Sequence, residues 1–174
     1  MAITCTALNG IAKGCDNNIG GVTNIWLYDA EDIGTITDTA GVASAITLVT
    51  GGAGQAFIIN RNTSNFTEDA AIDLVNGSSF ITQTINLAFH RREASKSYAI
   101  QLLGEGQRDL TCIVKDGNGL YWIFDNMQLT AVGEGSGTAK ADGSKYSLTL
   151  TGEATEYAWE VVLATLQTFD SSVF

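Results

Sequence analysis

The chain has 174 residues, no proline, and 19 acidic residues against 9 Lys and Arg residues, giving a formal net charge of −10 at pH 7. This length suits one domain over 1–174, with 1–24, which is small, polar and rich in glycine, as a candidate N-terminal arm. The negative charge disfavours binding to nucleic-acid phosphate, because that affinity comes largely from Lys and Arg. The apolar runs fall far short of the roughly 20 residues that span a bilayer, so no membrane insertion is expected.

The N-terminal residues lack a basic region followed by an apolar region, which argues against Sec-dependent export and predicts synthesis and first assembly in the cytoplasm. The three cysteines, Cys5, Cys15 and Cys112, are odd in number and have no C-x-x-C spacing. They predict reduced structural thiols rather than a disulfide framework or a zinc knuckle.

The first half of the chain predicts short strands at 24–28, 45–50 and 55–60, the last two forming a hairpin around the turn Gly51-Gly52-Ala53-Gly54. A long acidic connection is expected at 29–41. Its carboxylates are Asp29, Glu31, Asp32 and Asp38. Residues 66–74 suit either a strand or a helical turn, and a strand is favoured.

Residues 80–89 alternate apolar and polar side chains, which is typical of a half-buried strand. The apolar face carries Ile81, Ile85, Leu87 and Phe89, and the polar face carries Thr82, Thr84 and Asn86. The sequence therefore predicts that one face of this strand packs on a core while the other meets water.

A short amphipathic helix is expected next, over 91–104. Ala94, Tyr98 and Leu102 recur at i, i+4 and i+8, and Gly104 follows the last of them as a stop signal. Tyr98 and Leu102 are accordingly predicted to pack on the β-sheet.

The second half predicts strands at 108–114 and 120–124 that form a tight hairpin, because the Asp116-Gly117-Asn118-Gly119 turn between them tolerates positive φ. Further strands are expected at 128–132, 136–141, 146–151 and 157–165. The predicted fold is therefore mainly β, a β-sandwich or barrel with one flanking α-helix.

Residues that carry chemistry are sparse. The single histidine, His90, lies beside two arginines with no nucleophile near it in sequence. The glycines around 133–137 lack a phosphate-loop pattern, and the turn at 116–119 lacks the glutamate of a calcium loop. The hairpin aromatics are more typical of a β core than of a sugar platform. No enzyme activity, cofactor or metal is predicted.

The order strand, helix, hairpin, glycine-rich acidic loop and closing strands, in a small, acidic, proline-free chain, resembles the bacteriophage major tail tube proteins and the related Hcp-like tubes. The resemblance covers 80–163. It is carried by F-I-T-Q-T-I-N-L-A-F, R-R-E-A-S-K-S-Y-A-I-Q-L-L-G, V-K-D-G-N-G-L-Y-W-I-F and Y-S-L-T-L-T-G-E.

This resemblance implies a structural virion protein whose hexameric rings stack into a tail tube that conducts DNA without binding it specifically. Its partners would be further copies of itself and other tail proteins, and its final location the virion tail. Unblunted strand edges suit pairing between subunits. Thr82, Thr84 and Asn86 would then face the lumen, and the 29–41 segment, with Asp29, Glu31, Asp32 and Asp38, would be a candidate contact between rings.

Two other interpretations fit a small acidic β-protein. One is a capsid decoration or head-tail completion protein, which electron microscopy would separate from a tube by its lack of rings. The other is a glycan-binding β-module, whose tryptophan fluorescence would respond to sugars.

Overall fold

A computed structural model describes residues 10, 11, 13, 15–60 and 62–174. Of the candidate N-terminal arm over 1–24, residues 1–9, 12 and 14 lie outside the described part, 15–21 run without regular structure, and 22–24 already belong to the first strand. The fold class predicted from sequence is confirmed, since 51% of the described residues are in strands and 15% in helices, and the sheet curls into a half-barrel.

Ten strands and two helices make up the described part of the chain. The strands are β1 (Val22–Asp29), β2 (Ile33–Thr39), β3 (Val42–Leu48), β4 (Gln55–Ile58), β5 (Asn65–Asp73), β6 (Ser78–His90), β7 (Leu110–Asp116), β8 (Tyr121–Gly135), β9 (Lys145–Ala154) and β10 (Trp159–Val161). The helices are α1 (Ala94–Gly104) and α2 (Leu163–Phe169), with short 3-10 turns at Ala30–Asp32 and Glu105–Gln107.

The strands form two sheets that share β8. Sheet A has the order β2-β3-β10-β8-β7-β1-β4, and sheet B has the order β5-β6-β9-β8. The first half of β8 pairs with β7 up to Met127, and the second half, Gln128–Gly135, pairs with β9. Every strand pair is antiparallel except β3 with β10. The 15-residue β8 thus joins the two sheets into one curled unit.

Two hydrophobic clusters lie on opposite faces of sheet A. Alternate residues of β1 divide between them, because Ile25 and Leu27 join the cluster that contains the apolar face of sheet B, while Trp26 and Tyr28 join the cluster beneath α2. Sheet A is therefore the middle layer, with sheet B on one side and the C-terminal helix on the other.

Helix α1 lies where the sequence predicts a helix, but the predicted packing face is wrong. Tyr98 is 63% exposed and Leu102 is 37% exposed, whereas Ile100 is buried in the core. The hydroxyl of Tyr146 accepts a hydrogen bond from the Glu93 amide at 3.0 Å and lies 2.8 Å from the Ser97 hydroxyl. These bonds hold the start of the helix over β9 and turn its Ser97–Ile100 side toward the sheet.

Three other predictions about elements are also wrong. The strands β3 and β4 do not pair with each other, since β3 pairs with β2 and β10 while β4 pairs with β1. Residues 136–141 form a turn-rich loop, in which the Asp142 carboxylate accepts hydrogen bonds from the amides of Thr138 and Ala139. The segment 157–165 is a three-residue strand followed by the start of α2.

Candidate functional site

The most distinctive surface of the molecule is the outer face of sheet B, which we call the polar face. The register of β6 with β5 and β9 brings Thr84 between Thr67 and Thr151. The polar face carries Asn65, Thr67 and Asp69 on β5, Thr82, Thr84 and Asn86 on β6, and Thr149, Thr151 and Glu153 on β9. The three polar residues predicted from sequence therefore lie on one continuous surface.

The opposite face of sheet B packs against the hydrophobic core. Ile85 and Leu87 are almost completely buried, and their partners Leu150 and Leu148 on β9 are buried as well. The predicted division of β6 into a core face and a solvent-facing face is therefore correct. A strand with this period-2 pattern is locked in register, because a slip by one residue would expose the whole apolar set.

Hydrogen bonds between short side chains hold the polar face together. The Thr149 hydroxyl lies 3.1 Å from the Asn86 side-chain oxygen and donates to it, and the Thr130 hydroxyl donates to the Thr149 carbonyl at 3.3 Å. Short hydroxyl and amide groups of this kind present a wetted surface with little positive charge. Such a surface offers little for a phosphate backbone to bind.

Both edges of sheet B are open within the described part of the chain. The nine-residue β5 pairs only with β6, and the Gln128–Gly135 half of β8 pairs only with β9. Each edge therefore presents a row of unpaired backbone groups, and the chain has no proline to blunt them. An edge of this length is a template for pairing with another strand.

The four acidic residues of the predicted 29–41 connection do not form one site. That segment is a 3-10 turn followed by β2 and the turn into β3. The prediction of a long connecting loop at 29–41 is therefore wrong. Asp29 contacts the Arg108 guanidinium at 3.2 Å, beside Glu31. The Asp32 carbonyl accepts a hydrogen bond from the Val49 amide. Asp38 lies apart from these groups, in a hollow with Glu153.

A buried polar contact ties sheet B to the strand connection before β10, and the sequence analysis missed it. Gln83 lies on the core side of β6 and is only 2% exposed. Its amide donates to the Glu68 carboxylate at 2.9 Å, and the Ala158 backbone amide donates to the same carboxylate oxygen at 2.7 Å. The sequence did contain a signal for this contact, because Gln83 interrupts the apolar face of β6 and a buried amide needs a hydrogen-bond partner.

Two ionisable side chains of the core, Cys112 and Tyr28, have raised pKa values. Burial raises the pKa of the Cys112 thiol, which keeps it protonated and unreactive. Burial, followed by the Asp170 carboxylate, raises the pKa of Tyr28, whose hydroxyl donates to Asp170 at 3.1 Å. Among the described residues, no group of three or more His, Cys, Asp and Glu side chains is placed to hold a metal ion.

Comparison with models of known protein families finds no match, and comparison with curated proteins finds none either. Neither helix of the described part of the chain is long and apolar enough to cross a membrane.

Proposed function

We propose that this chain is the structural subunit of a bacteriophage tail tube, in which copies join edge to edge through sheet B. One observation carries the proposal. Sheet B is a four-stranded antiparallel sheet with a buried face, a polar face of Thr and Asn residues, and an open strand at each side. Sheets of this kind lose their edges when they close into a barrel.

In the proposed ring, β5 of one copy pairs with the Gln128–Gly135 edge of the next. The two edges differ, so the contact is heterologous, and it closes when the rotation between copies completes a circle. Six copies, the number that the resemblance to tail tube proteins implies, supply roughly 24 strands. At a strand spacing of ~4.8 Å their circumference is roughly 115 Å and their diameter about 37 Å before any tilt.

The polar face becomes the wall of the channel in this arrangement. Barrels of 16–18 strands already enclose an aqueous channel, so a barrel of this size is wide and wet. Thr82, Thr84 and Asn86 lie near the middle of the wall, away from the basic residues at the end of β6. A neutral to acidic wall lets DNA pass without binding, which accounts for the net charge of −10.

Adjacent prolines in β5 test the edge pairing. The backbone amides of Ala70 and Ala71 point to opposite sides of the strand, one toward β6 and one toward the open edge. Ala70→Pro and Ala71→Pro therefore form a matched pair. One removes a hydrogen bond from the ladder with β6, and the other removes only the donor that a neighbouring copy needs.

The unsubstituted protein is expected to form closed rings or stacked tubes in negative-stain electron microscopy. The proline variant that keeps the melting temperature is expected to lose ring closure, because its own sheet is intact. A protein that stays monomeric at every concentration, or a well-folded open-edge proline variant that still forms rings, would overturn the proposal. Trimers without a channel would favour a capsid decoration protein instead.

A further inference from the structure

The end of the β5–β6 hairpin carries several exposed apolar side chains, which we call the apolar tip. Leu74 and Val75 are 91% and 92% exposed. The apolar tip consists of Ile72, Leu74, Val75 and Phe80, which are all exposed. Ile72 and Phe80 lie on opposite faces of the hairpin, because Ile72 pairs with Ser79 whereas Phe80 pairs with Ala71. Apolar side chains concentrated in this way on a protruding hairpin are typical of a contact surface rather than of scattered surface residues.

Hydrogen bonds fix the turn that presents the apolar tip. The Asp73 carboxylate accepts a hydrogen bond from the Val75 amide at 2.8 Å and another from the Asn76 amide at 3.2 Å, and the Asn76 side chain donates to it as well. The donation from the Asn76 side chain is the main cause that lowers the pKa of Asp73. Leu74 and Val75 are thus held outward by an ordered turn, without burial of their own.

The opposite end of sheet B contains a hollow of about 380 Å³, which we call the glycine hollow. Its lining consists of Gly133, Glu134, Gly135, Gly137, Asp142, Gly143, Lys145 and Ser147. A Cβ added at Gly135 would meet no atom within 4 Å, so the space above this residue is open. With four glycines in its lining, the hollow lets another chain approach the backbone closely.

The two ends of sheet B carry complementary charge. The stretches 62–90 and 146–174, which include the tip, contain carboxylates such as Asp69, Asp73 and Glu153 but no Lys or Arg. Five of the nine Lys and Arg residues belong to the two segments that meet at the hollow: Arg91, Arg92, Lys96, Lys140 and Lys145. Arg92 contacts Glu134 of the hollow at 2.7 Å, and the Arg91 amide donates to the Ser144 carbonyl. Acidic groups therefore border the apolar tip, and most of the basic groups lie beside the glycine hollow.

We infer that the apolar tip of one copy inserts into the glycine hollow of a second copy, so that copies associate head to tail along the strands of sheet B. A copy cannot satisfy its own hollow, because the 13 residues of β6 span roughly 40 Å at ~3.3 Å per residue. The contact uses two different surfaces, so it does not close between two copies and it propagates. Within the proposed tube this is the contact that stacks one ring on the next, and the choice of a second copy as partner rests on that proposal.

Cross-linking tests this contact directly. Val75→Cys and Gly135→Cys are placed in one chain, with Cys5→Ser and Cys15→Ser to remove other thiols and Cys112 left buried. Oxidation with copper phenanthroline is expected to give a ladder of disulfide-linked oligomers on a non-reducing gel. The control chain combines Gly135→Cys with Val49→Cys, an exposed apolar position outside the tip, and is expected to give no ladder.

A second variant avoids cysteine chemistry. A Cβ at Gly135 meets no atom within 4 Å, so Gly135→Leu adds a side chain in the open space of the hollow and is expected to leave the melting temperature unchanged. Gly135 is the last residue of the β8 edge and keeps its backbone amide, so single rings are expected to remain while stacks are lost. Gly10→Leu, at a glycine that also meets no atom within 4 Å, is the matched control and is expected to stack normally.

The possible results separate this inference from the proposed tube. Stacked tubes without a Val75–Gly135 ladder would overturn the inference and leave the tube intact. A ladder from open chains that never close into rings would support the inference and overturn the tube. A protein that does not associate at any concentration or salt would overturn both.

Discussion

Sheets A and B share strand β8 but differ in how much of each face is buried. In the centre of sheet A both faces are buried, so neighbouring residues such as Ile113 and Val114 are both fully buried. In β6 of sheet B only alternate residues are buried, as Ile85 and Leu87 are, while Thr84 and Asn86, which alternate with them, reach solvent. The comparison shows that sheet A is an internal layer covered on both faces at its centre, whereas sheet B combines a core face with a polar face that meets solvent.

The sharpest way to break this comparison is to place the same charge on the two faces of β6. Ile85→Lys is expected to lower the free energy of unfolding by more than about 4 kcal/mol or to prevent folding, because it buries an unpaired charge. Thr84→Lys is expected to change it by no more than about 0.5 kcal/mol. Chemical denaturation of both variants measures the difference. A tolerated Ile85→Lys beside an unfolded Thr84→Lys would reverse the assignment of the faces.

The two sides of helix α1 are expected to differ in their contribution to stability, by less than the two faces of β6. Ile100→Ala is expected to cost about 2–5 kcal/mol because Ile100 lies in the core shared by the two sheets. Leu102→Ala is expected to cost only about 0.5–1 kcal/mol, since Leu102 is partly exposed. Equal losses of unfolding free energy for the two variants would contradict this packing, because they would mean that Leu102 is buried as deeply as Ile100.

The smallest expected effect concerns the outer face of sheet A, where Tyr28 bonds to Asp170. Tyr28→Phe is expected to cost about 0.5–1.5 kcal/mol near pH 8, because Oδ2 of the buried Asp170 carboxylate loses the Tyr28 donor while Oδ1 keeps its bonds from Ser172. The folded state raises the pKa of Tyr28 above its ordinary value of 10.0, so the unfolded chain loses this proton first and stability falls as the pH rises above about 10.

Tyr28→Phe has no proton to lose at this position. The stability gap between it and the unsubstituted protein is therefore expected to narrow when denaturation is measured from about pH 8 to pH 11. A gap that stays constant over this range would contradict the assignment of the raised pKa to Tyr28.

Sequence patterns predicted the parts of the molecule that are governed by local burial. The alternation in β6 identified both of its faces, and the turn at 116–119 identified the hairpin of β7 with β8. Both signals arise within a few residues, from side-chain period or from backbone conformation. The sequence therefore identified the polar face of β6, but not the pairing of β6 with β5 and β9 that extends this face.

The errors occur where distant partners decide the structure. The glycines at 51–54 do turn the chain, but β4 then pairs with β1, and a Cβ at Gly54 would overlap the Tyr28 ring. The stripe of Tyr98 and Leu102 met the criteria for a packing face, yet the hydrogen bonds of Tyr146 orient the helix differently. The helix α2 did leave a signal, because Leu163, Leu166 and Phe169 recur at i, i+3 and i+6.

Hydrogen exchange measures the pairing of β5 with the β8 edge of a second copy most directly. Assembled protein is compared with the folded proline variant of β5 that does not close into rings. Slower exchange is predicted in the open edges 65–73 and 128–135 of the assembled protein, with no change in β2 and β4 at the edges of sheet A. Equal exchange at 65–73 and 128–135 in both samples, or protection at β2 and β4 instead, would contradict edge-to-edge closure of sheet B.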